Sequence, residues 1–104
     1  MSEATKFDSG KPPVGLVDPH FILEVARVLQ FGSEKYAPHN WRKGMEWSRI
    51  YDAAQRHLLA WASGEETDDE SGLNHLAHAA CCLMFLLSYS KTGTGTDDRW
   101  RGAA

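Results

Sequence analysis

Apolar side chains recur at three- and four-residue intervals in three stretches of this chain, and each stretch has a chemical start and stop. Ile22, Val25, Val28 and Leu29 share one face of a helix predicted from Asp18 to about Tyr36. Asp18 supplies a capping carboxylate, and Pro19 sits at the first helical position, where its missing N–H costs nothing. A second helix is expected from Trp47 and Ser48, with Ser48 as its cap. Its buried stripe would be Tyr51, Ala54, Leu58 and Trp61 or Ala62, and Gly64 ends it. The third is predicted from about Asp69–Ser71 to Ser90, with Leu73, Leu76, Ala80, Leu83 and Leu87 on one line and Gly93 as its stop.

The third helix is apolar nearly all round, which implies burial from more than one side, at the centre of a bundle or along a seam between subunits. Nothing reads as a strand. The expected fold is all-α, a small helical bundle whose core is completed by homo-oligomerisation. Residues 1–17 are polar and carry Gly10, Pro12, Pro13 and Gly15, so they read as an extended N-terminal arm. Residues 18–91 are expected to form the helical domain. The tail, 92–104, reads as flexible by composition, with Trp100 available to dock on a partner.

The chain has 104 residues, enough for one domain. Its formal net charge of −3 argues against a DNA or RNA polymer held by bulk electrostatics, so an anionic ligand must be met locally. Such a place is visible: Lys35, Arg42, Lys43 and Arg49 fall close together, whereas Glu65, Glu66, Asp68, Asp69 and Glu70 form a separate acidic turn. Cys81 and Cys82 are adjacent in an apolar helix, where a disulfide between them is disfavoured, and read as reduced core residues. No secretory leader is recognisable, and the run from Leu76 to Leu87 is about half a bilayer span. No membrane association is expected, and the cytoplasm is the expected compartment.

Between the first two helices lies FGSEKYAPHNWRKG, where Pro38 and Gly44 interrupt any helix. Its Lys35, Tyr36, His39, Asn40, Trp41, Arg42 and Lys43 combine rings that stack on a base with donors for phosphate oxygens. A nucleotide is the indicated ligand, the plainer alternative being that the rings cover the core and the cations form a solvated edge. Asp52 and Arg56 are four apart on helix two with His57 alongside, either a simple helix salt bridge or part of a polar site. His75 and His78 are three apart on helix three, which reads first as core histidines bonded to a carbonyl or carboxylate, then as metal ligands, and third as direct nucleotide contacts.

The three segments FGSEKYAPHNWRKG, YDAAQRHLLAW and DDESGLNHLAHAACCLMFLL resemble, in that order, the phage family of dATP/dGTP diphosphohydrolase N-terminal regions. The resemblance covers roughly residues 18–87. More distantly the chain is similar to the MazG-like all-α nucleotide pyrophosphohydrolases. It implies a four-helix core shared between subunits, and cleavage of a purine (d)NTP to (d)NMP and pyrophosphate with a divalent metal, Mg²⁺ or Mn²⁺. In that superfamily the metal is held by E-x-x-E and E-x-x-D, and the counterparts here are Asp52-x-x-Gln55 and His75-x-x-His78. Only one of those four positions is an acid, so Glu34, Asp69 and Glu70 are the substitute carboxylates. The expected assignment is therefore Glu70 and Asp52 as catalytic groups and Glu34, Asp69, Glu70, His75 and His78 as metal ligands. The nucleotide would meet Lys35, Tyr36, His39, Asn40, Trp41, Arg42, Lys43, Arg56 and His57. The runner-up is a phage protein that binds and sequesters a nucleotide or cyclic nucleotide without cleaving it.

Overall fold

A computed structural model describes residues 3–102 as three α-helices, α1 (Pro19–Lys35), α2 (Trp47–Ala62) and α3 (His75–Thr92), with two short 3₁₀ turns at Val14–Leu16 and Asn40–Lys43. Among the described residues there are no strands, only isolated bridges. The all-α expectation is met, and no helix is long and apolar enough to cross a membrane. The α1 start follows the sequence: Asp18 accepts the His20 N–H at 3.0 Å and Pro19 opens the helix.

Helix α3 is the element on which both others pack. Val28 of α1 meets Ala77 and Cys81 of α3, flanked by Val25, Leu29, Leu73, Met84 and Phe85. Small side chains on α3 let its neighbours approach closely. The radius of gyration is 17.4 Å, against about 13 Å for a compact chain of this length. The excess reflects residues 3–17, exposed throughout, and a broad groove left between the helices.

Four expectations are corrected. Ser48 does not cap α2; its own N–H and hydroxyl are bonded by Asp98 of the tail. The segment before α3 is not helical, because Asp68 accepts the N–H groups of Glu70 and Ser71 in a local turn and Asn74 caps the helix instead. The tail is not free: Trp47 Nε1 donates to the Thr94 carbonyl at 2.9 Å and Trp47 N to that of Thr96 at 3.0 Å, although Trp100 remains exposed. Gly44, at φ 96°, permits this docking, since a Cβ there would stand 2.8 Å from Gly95 N.

The fourth correction concerns which stripes are buried. On α3 the interior face is His75, Ala79, Cys81 and Tyr89, whereas Leu76, Leu83 and Leu87 are 41%, 54% and 64% exposed. On α2 Ile50 and Ala54 are buried, while Tyr51, Leu58 and Trp61 stay on the surface; on α1 Ile22 does too. Side chains with the strongest hydrophobic signal thus lie outside the core of the single chain.

Candidate functional site

A groove of about 1130 Å³ runs between the three helices, slightly above the roughly 300–1,000 Å³ usual for small-molecule sites. Lys35, Tyr36, His39, Asn40, Trp41 and Arg42 line it, joined by Arg49 of α2. His57, Asp68, Glu70 and His78 line it as well, with Cys81, Cys82 and Phe85 of α3. Both cysteines are free, and burial pushes the Cys81 thiol up to about 12, so it is inert.

The α1–α2 loop is anchored by its tryptophan. Trp41 stacks on Phe85 with ring centroids 4.7 Å apart, the Arg42 guanidinium lies 4.5 Å from its ring, and the Tyr89 hydroxyl donates to the Trp41 carbonyl at 2.6 Å. The indole therefore serves the core as well as the groove wall, while Tyr36 is 66% exposed, with the Lys35 ammonium 5.5 Å from its ring centroid. His39 adopts φ 63°, a left-handed conformation, and its Nδ1 accepts from Arg42 Nε at 2.9 Å, which aims the guanidinium. Lys35 Nζ reaches across to Glu70 Oε1 at 2.6 Å.

Near Asp68 three imidazoles gather. His57 Nδ1 and His75 Nδ1 are 2.9 Å apart, and the His57 ring stacks on His78 at 4.6 Å and 11°. His78 Nε2 contacts Ser71 Oγ at 2.6 Å. His75 is 5% exposed, and its Nε2 has no hydrogen-bond partner; Glu65 Oε2 stands 3.4 Å away, outside bonding geometry. One ligand atom each from His57, Asp68 and His75 falls within 4.8 Å of the other two.

Electrostatics sets the charge states. Burial, then the neighbouring His78, lowers the pKa of His57 despite Asp68, and burial likewise lowers that of His78. Partial burial would raise the Asp68 carboxyl, but the Ser71 N–H, His78 and the Glu70 N–H outweigh it and lower its pKa. Burial thus biases His57 and His78 toward the neutral form beside the Asp68 carboxyl, which is biased toward the anion.

Of the residues singled out in the sequence, Lys35, Tyr36, His39, Asn40, Trp41, Arg42, His57, Glu70 and His78 line the groove. Lys43, Arg56, Asp52, Glu34 and Asp69 do not; all five are exposed. The α2 surface facing the groove is Arg49, Ile50, Ala53 and His57, so the helical period turns Asp52 away, and no ion pair joins it to Arg56 among the described residues. Asp69 points outward because its predecessor fills the turn. His75 lies behind the groove wall, against His57. Sequence reasoning missed Asp68, Ser71 and Glu65; the signal for Asp68 was its place two and three residues before backbone amides of a short turn.

Magnesium, which the resemblance implies, demands oxygen ligands in a near-ideal octahedron. The converging donors here are two imidazoles and one carboxylate, a set that does not fit it.

These features define an all-α protein that gathers cations, aromatic rings and a histidine–carboxylate cluster around one groove. The chain matches, over residues 1–99, the family described as "dATP/dGTP diphosphohydrolase, N-terminal", and it belongs to that family. It is 46% identical over 99 residues to a "dATP/dGTP diphosphohydrolase" of Salmonella phage PMBT28, an alignment that covers 94% of this chain and 34% of the relative. The chain therefore spans about a third of that curated relative's length. No solved structure matches it.

Proposed function

We propose that the groove binds a purine deoxynucleoside triphosphate and takes part in its hydrolysis to the monophosphate and pyrophosphate. The observation that carries this reading is the shared groove, in which Lys35, Arg42, Arg49 and Tyr36 face the same space as His57, Glu70 and His78. A triphosphate brings about four negative charges, and leaving any of them unpaired in a partly buried site costs several kcal/mol. Lys35, Arg42 and Arg49 answer that charge, and the exposed ring of Tyr36 offers a stacking surface for the base.

In the reaction a water oxygen bonds to the α-phosphorus, and the α–β bridging oxygen leaves with pyrophosphate. Glu70 lines the groove and is the carboxylate placed to accept the water proton. The description of the Salmonella phage relative as a dATP/dGTP diphosphohydrolase supports the substrate class. A phage protein of this kind would work in the host cytoplasm.

Binding without cleavage is the second reading, favoured by the single carboxylate among the converging donors. Incubation with dATP or dGTP and Mg²⁺, Mn²⁺ or Co²⁺, with products separated by anion exchange, decides between them. Monophosphate and pyrophosphate support hydrolysis; intact nucleotide with a raised melting temperature supports sequestration. Neither turnover nor a thermal shift with any nucleotide overturns both.

A further inference from the structure

The geometry points to His57, Asp68 and His75 as a three-ligand centre for an imidazole-preferring divalent transition ion such as Co²⁺, Ni²⁺ or Zn²⁺, with its open positions toward the groove. Two imidazole nitrogens bound to one ion at about 2.0–2.1 Å stand roughly 3 Å apart when their bonds meet near a right angle. His57 Nδ1 and His75 Nδ1 are 2.9 Å apart, held there by two different helices. Asp68 brings a carboxylate oxygen to within 4.8 Å of a ring nitrogen of each histidine. Its Oδ1 is fixed by the Glu70 and Ser71 amides, while Oδ2 carries no hydrogen bond from the described residues.

The orphaned atom of His75 fits the same arrangement. When an imidazole binds metal through Nδ1, its Nε2 must carry a proton, and metal-ligating histidines ordinarily direct that proton at a carboxylate. His75 Nε2 is buried, unpartnered, and 3.4 Å from Glu65 Oε2. A small movement of the exposed Glu65 side chain completes the pair. His78 stays outside the ligand set: its Nε2 is taken by Ser71 Oγ, and its ring stacks on His57 and holds that imidazole in place.

Three protein ligands of type N₂O with vacant positions are the pattern of a metal that meets substrate, as opposed to a closed structural site. Such a donor set ranks ions by affinity for imidazole and leaves magnesium behind. The inference stands on the cluster alone, so it holds or fails independently of the nucleotide reading.

The full chain, without a polyhistidine tag and stripped by chelator, is titrated with Co²⁺, Zn²⁺ and Mg²⁺ by calorimetry and, for Co²⁺, by visible absorption. The expected result is one Co²⁺ or Zn²⁺ per chain and no measurable Mg²⁺. Loss of binding is expected in His57→Ala and Asp68→Ala, and binding weakened about 10- to 100-fold in Glu65→Gln. His20→Ala, remote from the cluster, is expected to bind as the parent does. Because the histidine variants could unfold, imidazole NMR of the parent chain supplies a second reading: Co²⁺ should shift the His57 and His75 resonances and spare His20. Magnesium bound as tightly as cobalt, no ion bound at all, or unmoved His57 and His75 resonances overturns the assignment.

Discussion

Asp98, beyond the last helix, bonds the first turn of α2: its Oδ1 accepts the Ser48 N–H at 2.8 Å and its Oδ2 accepts the Ser48 hydroxyl at 2.5 Å. A carboxylate at a helix N-terminus satisfies orphaned amides and suits the helix dipole. The α2 start therefore depends on the tail. Asp98→Ala, and truncation after Gly95, should each lower the melting temperature by a few degrees and speed amide exchange at residues 47–50. Unchanged exchange there would show that the cap is dispensable.

The crossing that brings the tail to α2 has no room for a side chain. Gly44 has φ 96° and ψ 146°, a region that only glycine adopts readily, and Gly95 packs against it. Gly44→Ala is expected to destabilise by about 1–3 kcal/mol from backbone strain, with the contact adding to it. Urea unfolding monitored by tryptophan fluorescence measures this directly.

Lys35, the last residue of α1, and Glu70, in the turn before α3, are 2.6 Å apart at the groove. If Glu70 is the proposed proton acceptor, Glu70→Gln keeps the shape and turnover should fall by roughly 10²- to 10⁴-fold with little change in nucleotide affinity. Lys35→Ala should raise KM more than it lowers kcat. The opposite split, measured by steady-state kinetics, would reverse the two roles.

His57 and His78 have folded pKa values below the ordinary 6.5, burial being the main cause. The unfolded chain then binds more protons than the folded one as pH falls, so stability rises with pH across that range. The contribution is complete above about pH 6.5 and is lost as pH falls through the lower folded values. With chelator present, the melting temperature should drop from pH 7 to pH 5, and a His57→Asn, His78→Asn double variant should flatten that drop.

Leu76, Leu83 and Leu87 follow one another along the outer side of α3, all substantially exposed. A second copy of the chain carries the same stripe, and burial at about 25 cal/mol per Å² would favour covering it. Analytical ultracentrifugation should find the parent chain associated and a Leu83→Glu, Leu87→Glu variant monomeric with its helices intact. A monomeric parent would sink the expected oligomer.

How much was legible varied with the range of the interaction. The α1 start at Asp18 and Pro19 and the stops at Gly64 and Gly93 rest on neighbouring backbone atoms, and the structure has them close to where the pattern puts them. The anchoring loop around Trp41 was visible as a dense cluster of polar and aromatic types. Asp98 as the cap of α2 was not, because fifty residues separate it from Ser48 and nothing local marks the pairing.

The sequence by itself determined the three helices, the all-α class and the family, because period, caps and ordered motifs are properties of short segments. Only the tertiary structure decided which side of α3 is buried, which carboxylate reaches the histidines, and that His57 and His75 meet. Each of those depends on the angle at which α2 and α3 pack and on the turn around Asp68, and a helical period alone leaves both open.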